Sequence, residues 1–430
     1  RNLLPVALCL SLLVVSALAY SVIPLNKKSN VTVEKRHDQY KRSNAPLGGG
    51  AGRVGYYFVQ LQVGSQNFRV DIDTGSSTLF IVGPDCHLLD DRSQPCPYAQ
   101  SYYQGAASYM GCESGCYQCQ SNVCIMHASY GDGSEVYGAV RTESIQIGGY
   151  TTTGPAAISY YQSTDFASTN GETHMDGLWG MAYSGLNGGL PTVVDRLVTS
   201  GMPNVFSICF SNSGGYLVMG GIDTSMQTSS ASYTAITETQ YYAITVSGIA
   251  VGSTNLAVNF PKIIVDSGTT FNYVTQSIMN ALHQQLQGYA DSSWFSDGNS
   301  IYCSSVVLAS MPNIYMTFPQ VGGGTFQLTL KPSQYTVSCS GGGYAFGFVP
   351  TTGLNILGDA FMQGFNTIFD RANGQIGFAP VSTVNCRGTI AVNDQSYTVP
   401  GTKSIFSSGL NVVPSILLVL AALALAFISH

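Results

Sequence analysis

Charge is what this chain has least of. Only 9% of its 430 residues are Asp, Glu, Lys or Arg. Because 45% are apolar, the shortage of charge does not point to disorder, since a core can still be buried. Abundant Gly with plentiful Tyr, Ser and Thr reads instead as a β-rich, secreted chain. The charge that exists is uneven. Residues 1–53 carry eight Lys and Arg against two acids, a net of +6 in a chain of −6, so the remainder carries −12. An acidic body argues against nucleic acid as a partner. The C-terminal apolar run is also short for a membrane-spanning helix. The run Ile416 to Ile428 holds 13 apolar residues, against the roughly 20 a stable spanning helix needs, and no Lys or Arg follows it.

What is present is a repeat. Asp73-Thr74-Gly75-Ser76-Ser77 and Asp266-Ser267-Gly268-Thr269-Thr270 stand 193 residues apart. Each follows an apolar strand-like run, Phe68–Ile72 and Lys262–Val265, which carries the Asp to the strand's end. Asp-Thr/Ser-Gly then makes a tight turn. The glycines, Gly75 and Gly268, let the backbone pass close to a facing copy of itself, and the hydroxyls of Ser76 and Thr269 are placed to hydrogen-bond the carboxylates. One such tripeptide is an ordinary turn; two on equivalent strands are a constellation.

The paired loops resemble those of the pepsin-like aspartic peptidases of eukaryotes, whose two lobes each supply one such Asp. Leu178-Trp179-Gly180 and Ile356-Leu357-Gly358-Asp359 are similar to the family's apolar-apolar-Gly segments beside each loop. Tyr130-Gly131-Asp132-Gly133-Ser134 is similar to its flap hairpin, and Phe369-Asp370-Arg371-Ala372-Asn373 to a late strand and turn. The likeness runs from about Val54 to Arg387 in the family's order. It implies an all-β, bilobal acid-protease fold with a few short helices and the site in the cleft between lobes. It implies aspartic endopeptidase activity with Asp73 and Asp266 sharing one proton and activating a water, without metal, cofactor or covalent intermediate. Loop support falls to Thr74, Gly75, Ser76, Ser267, Gly268 and Thr269, and the flap to Tyr130, Gly131, Asp132 and Gly133. One position departs from the pattern: where the family often has a Trp partnering the flap Tyr, this chain has Phe80. Two other classes come into question. Paired carboxylates also serve glycoside hydrolases, which lack two repeated loops. A non-catalytic relative that binds or inhibits usually loses an Asp or the flap Tyr.

In chain order, residues 1–19 read as a signal peptide closing in Ala17-Leu18-Ala19, and 20–53 as a basic, inhibitory prosegment with three dibasic pairs and the sequon Asn30-Val31-Thr32. The N-terminal lobe is expected over 54–235, the C-terminal lobe over 236–390, a stalk over 391–415 and the apolar tail over 416–430. The tail, with the small residues Ser407 and Ser408 as attachment candidates upstream, reads as a glycolipid-anchor signal, with a single-pass anchor as the rival. Between 86 and 124 lies an insertion with Cys86, Cys96, Cys112, Cys116, Cys119 and Cys124. Cys116-Tyr117-Gln118-Cys119 has zinc-like spacing, but behind a signal peptide disulfides are expected, in any of fifteen connectivities. Family likeness pairs Cys303 with Cys339, leaving Cys209 with Cys386. Strands are expected at Tyr56–Gly64 and Tyr241–Val251, helices at Pro191–Gly201 and Gln276–Tyr289, and a hairpin at Asn373-Gly374. His283 reads as a surface residue. The expected partners are peptide or protein substrates, the chain's own prosegment and a membrane, for a monomer in the secretory pathway, at a cell surface, in an endolysosomal or vacuolar membrane, or secreted.

Overall fold

The computed structural model describes residues 21–27, 57–98, 100–112, 115–131, 133–163, 175–211, 214–290, 294–295, 302–339 and 342–386. The expected signal peptide, the rest of the prosegment, Asp132, Ser407, Ser408 and the tail lie outside them. All described residues belong to one compact unit, within residues 1–397.

Alternating apolar residues set the strands of the first half. They are β1 (Ser21–Lys27), β2 (Tyr57–Val63), β3 (Gln66–Asp73), β4 (Leu79–Leu88), β5 (Gln118–Gln120), β6 (Val123–Ser129), β7 (Glu135–Ile147), β8 (Tyr150–Gln162), β9 (Gly177–Gly180), β10 (Val205–Ser211), β11 (Gly214–Met219) and β12 (Ser232–Ala235). Helix α1 (Val193–Thr199) is shorter than its sequence pattern. Thr192 caps it by accepting from Asp195 N at 3.1 Å, while Asp195 accepts from Thr192 N at 3.0 Å, so Pro191 stays outside.

The second half supplies β13 (Ala243–Val246), β14 (Gly248–Val251), β15 (Thr254–Leu256), β16 (Phe260–Val265), β17 (Asn272–Thr275), β18 (Cys303–Ser304), β19 (Ile314–Pro319), β20 (Thr325–Leu330), β21 (Thr336–Ser338), β22 (Tyr344–Phe346), β23 (Phe348–Thr351), β24 (Ile356–Leu357), β25 (Phe365–Asp370) and β26 (Gln375–Pro380). Helices α2 (Gln276–Leu286) and α3 (Asp359–Met362) complete it. The single strand expected over Tyr241–Val251 is two, because β13 pairs with β16, through a register shift between Ile244 and Val246, while β14 pairs with β15 and β19. Helix α2 stops short of Tyr289, and His283 on it is half-buried, stacked on Phe295 at 4.1 Å. The Asn373-Gly374 hairpin joins β25 to β26, with Gly374 at φ 63°.

A 14-stranded sheet runs β12-β26-β25-β10-β11-β1-β2-β3-β9-β4-β8-β7-β6-β5, beside sheets of five (β13-β16-β24-β17-β23), four (β15-β14-β19-β20) and three strands (β18-β22-β21). Strands β25 and β26, late in the chain, therefore join β10 of the first half in one ladder. Arg371, just past β25, reinforces that seam. Its guanidinium bonds Asp195 of α1 at 2.6 Å and lies 4.6 Å from the Tyr183 ring. Strand β1, inside the expected prosegment, fills the slot between β11 and β2 through five and two register partners.

Five disulfides pin the loops. Cys86–Cys96, Cys112–Cys119 and Cys116–Cys124 close the insertion, Cys209–Cys386 ties the large sheet to the chain's late segment, and Cys303–Cys339 closes the loop ahead of β22. Cys116 and Cys119 both lie in disulfides, so their sulfurs are not open to a metal. Among the described residues no helix is long and apolar enough to cross a membrane.

Candidate active site

Strand β3 places its polar residues by alternation. Phe68, Val70 and Ile72 enter the main core, which sends Arg69, Asp71 and Asp73 to the opposite face. Both loop-bearing strands end beside a parallel partner. Asp73 stands opposite Gly180 of β9, and Val265 opposite Leu357 of β24. The two apolar-apolar-Gly segments thus grip the loops from behind. Met181 N donates to Asp73 O at 2.7 Å and Ala182 N to Ser76 O at 2.8 Å; on the other side Asp266 N donates to Leu357 O at 3.0 Å and Asp359 N to Thr269 O at 2.8 Å.

The loops are then bonded to each other. Thr74 N donates to Ser267 Oγ at 3.1 Å and Ser267 N donates to Thr74 Oγ1 at 2.9 Å. Each hydroxyl passes its own proton across to the opposite strand: Thr74 to Val265 O at 2.9 Å, Ser267 to Ile72 O at 2.6 Å. Gly75 N donates to Asp73 Oδ1 at 2.8 Å, and Gly268 N to Asp266 Oδ1 at 2.9 Å. A Cβ at Gly75 would stand 2.5 Å from Asp266 Oδ2, and one at Gly268 2.5 Å from Asp73 Oδ1. Any side chain there would collide with the facing carboxylate.

The two hydroxyls expected to orient the carboxylates do not behave alike. Thr269 Oγ1 donates to Asp266 Oδ2 at 2.7 Å. Ser76 Oγ is buried without a hydrogen-bond partner of good geometry among the described residues, although it lies close enough to Asp73 for its dipole to favour the ionised form.

The pair is electrostatically strained. Asp73 is 2% exposed and Asp266 6%. Burial first, then the charge of Asp266 and a hydrogen bond to it, push the Asp73 carboxyl well above the usual carboxylate range. Two further buried carboxyls surround them. Asp71 is raised by burial, then by Asp73, Asp359 and Asp266, while the charge of Asp359 also reaches Tyr57. The alternation of β3 was readable in the sequence, and it puts Asp71 on the face of Asp73; the resemblance placed Asp359 beside the second loop, but not its charge near Asp71. Two carboxyls in this geometry can hold one proton between them, one accepting from a water while the other donates to an oxygen.

The hairpin of β6 and β7 ends beside Tyr130, where Tyr130 N donates to Ser134 O at 2.9 Å and Gly133 N, at φ 84°, to Tyr130 O at 3.0 Å. Gly131 and Gly133 are exposed, and Tyr130 is half-buried. Phe80, where a Trp was the family's habit, is 1% exposed and packs with Leu178, Met126, Val136 and Leu190, against which Tyr130 rests. Through Cys116–Cys124 the insertion is bonded directly to β6.

Residues 56–381 match the family model described as eukaryotic aspartyl protease. The chain is similar to Pepsin A of Rhinolophus ferrumequinum and to Pepsin A of Sus scrofa, each at 30% identity over 76% of this chain and 81% of the relative. It is also similar to Aspergillopepsin-1 of Aspergillus pseudoglaucus, at 27% identity over 75% of this chain and 78% of the relative.

Proposed function

The chain belongs to the eukaryotic aspartyl protease family, and we propose that it is an endopeptidase in which Asp73 and Asp266 cleave peptide bonds with an activated water. The observation that carries this reading is the mutual bracing of the two loops, which buries both carboxylates beside each other. Two carboxyls sharing one proton are the known chemistry of aspartic proteases in general, and the mechanism is taken over from them. The ionised carboxylate takes a proton from water as it attacks the peptide carbonyl. The protonated partner donates to the developing oxyanion, and the leaving amine receives a proton at the end. Closure of the hairpin bearing Tyr130 over the substrate would keep bulk water out.

The pH dependence follows from the sign of the shift. The working form holds one proton across the pair. Burial and the facing charge raise Asp73, so that proton survives into weakly acidic solution and is lost as pH rises further. The optimum is therefore acidic.

The protein is made as a zymogen. A basic prosegment beside a −12 body is held by attraction that fades as carboxylates protonate, and β1 lends it a backbone ladder on β11. Entry to the secretory pathway is supported by the signal-like residues 1–19 and by five disulfides. Attachment to a membrane through the apolar tail, by lipid exchange at Ser407 or Ser408, rests on the sequence alone. The functional reading is tested by acid proteolysis of a denatured protein substrate with and without pepstatin. Cleavage within the chain that pepstatin abolishes is the expected result, and absence of cleavage after prosegment removal contradicts it.

A further inference from the structure

The hairpin that leads to Tyr130 carries an aromatic clasp on its far face. Alternation along β6 sends Met126 and Ala128 toward Phe80 and Leu178, and His127 to the other side. There His127 stands directly opposite Tyr137 of β7, their rings stacked at 4.2 Å and 14°. Tyr117, from the insertion ahead of β5, lies against the imidazole at 4.7 Å, and its neighbour Cys116 is bonded to Cys124 of β6. His127 Nε2 is buried and makes no hydrogen bond among the described residues, yet it faces Glu135 Oε1 at 3.5 Å. The Glu135 carboxylate is also hydrogen-bonded to Tyr137. The groups facing His127 are thus one carboxylate and the phenols of Tyr117 and Tyr137, with Tyr160 of β8 interacting with both phenols. On the same sheet Arg92 lies over the Tyr161 ring at 4.8 Å.

The clasp sits where the hairpin leaves the sheet. Ser129 and Glu135 are the last register pair before the turn, and the register between β7 and β8 shifts immediately after Tyr137. Such a bulge bends the strands locally, so the arm bearing Tyr130 can change its angle there. We propose that His127 and Glu135 are positioning residues for this arm: in acid the charged imidazole is drawn onto Glu135 and the Tyr rings, which holds the arm in place for substrate. The inference rests on the peptidase reading above. Imidazole side chains take up their charge as pH falls from 8 to 5. The charged ring attracts a carboxylate and the faces of aromatic rings more strongly than the neutral ring does. The attraction is present in weak acid and lost as the solution turns neutral. Because the Glu135 side chain is 39% exposed, the expected effect is a few-fold. Neither residue touches a reacting atom.

The test compares the processed native enzyme with His127→Phe, which keeps the stacked ring and cannot be charged. The ratio of variant KM to native KM for one peptide substrate should be about three to five at pH 5 and fall toward one at pH 7. The kcat values should keep a constant ratio, since the titration of the Asp pair is common to both. Glu135→Gln should reproduce the KM pattern, and serves if His127→Phe yields no sites titratable with pepstatin. A KM ratio that is the same at both pH values, or a change confined to kcat, would overturn the proposal. Hydrogen exchange of the unliganded native protein decides independently of the variants and of activity. After correction for the intrinsic pH dependence of exchange, the peptide covering residues 126–137 should be about three to five times better protected at pH 5 than at pH 7. Equal protection at the two pH values would contradict the clasp. If the native enzyme shows no pepstatin-sensitive cleavage at any pH, the peptidase reading has failed, which is a different result from equal protection.

Discussion

Thr74 and Ser267, 193 residues apart, each donate a backbone N–H to the other's hydroxyl, at 3.1 and 2.9 Å, and each hydroxyl donates onward to the opposite strand. Four buried hydrogen bonds thus fasten one loop to the other. Because the bonds are reciprocal, a shift of either carboxylate breaks bonds at both loops.

Truncating either hydroxyl should be felt in both stability and rate. Thr74→Ala removes an acceptor from Ser267 N and a donor from Val265 O, which should destabilise by about 1–3 kcal/mol. It should also lower kcat by about tenfold or more with a smaller change in KM, since geometry rather than binding is disturbed. Thr74→Ser, which keeps the hydroxyl, should recover most of the rate, and Thr74→Val should not. Urea unfolding and steady-state kinetics on the three variants check this. Equal rates for the Ser and Val variants would mean that these hydrogen bonds do not position the carboxylates.

Stability should be greatest in acid. Asp71 and Asp73 both have folded-state carboxyls raised above the ordinary range by burial. The stability tied to that difference is fully present below the unfolded value near 4 and is lost as pH rises through the raised values. Thermal melts from pH 3 to 7 should therefore show Tm falling with pH across the weakly acidic range. Asp71→Asn should flatten that fall and raise Tm at pH 7 by about 2 °C or more. A native Tm that climbs steadily toward neutral pH would refute the assignment.

Much of this was legible in the chain itself. The two Asp loops, the glycines facing the opposite carboxylates and the apolar-apolar-Gly segments are local patterns, repeated, and each falls beside its counterpart. What was not legible depends on contacts between distant strands. Alternation in β3 shows that Arg69, Asp71 and Asp73 share a face, but not that the charge of Asp359 of α3 reaches Asp71. The hydroxyl role read for Thr269 is seen as its 2.7 Å hydrogen bond to Asp266, and Ser76 acts on Asp73 by favouring its ionised form, with poorer geometry. The strand over Tyr241–Val251 divides because its two ends pair in different sheets, a choice made by β16 and β19 rather than by its own residues.

The disulfides should rank by the length of chain they close. Cys209–Cys386 spans 177 residues and Cys303–Cys339 spans 36. Loop-closure entropy puts their removal at about 5 and about 4 kcal/mol in the unfolded state, with the insertion's short loops at about 2.5. Paired Cys→Ser variants, compared by chemical denaturation at one pH, should lose stability in that order. A larger loss from Cys86–Cys96 than from Cys209–Cys386 would show that local strain or insertion packing outweighs chain entropy.

Strand β1 should delay activation. Its register partners on β11 and β2 hold it by backbone hydrogen bonds that acid does not titrate, unlike the charges of the remaining prosegment. After cleavage near residue 53, the peptide containing residues 21–27 should stay bound at pH 7 and remain partly bound at pH 4, once the charge attraction has faded. Native mass spectrometry of the cleaved protein at pH 7 and pH 4 would register it. Immediate release at pH 7 would mean that β1 contributes nothing to the inhibited form.

Asp73 and Asp266 should act as one unit, and turnover of a single peptide substrate by processed Asp266→Asn measures that most directly. Asn keeps the size of the side chain and can still accept from Gly268 N, but it cannot share the proton. With active protein quantified by its native-like melting transition, kcat at the acidic optimum should fall by about a thousandfold or more. Turnover within a few-fold of native, still blocked by pepstatin, would contradict the paired-carboxylate mechanism.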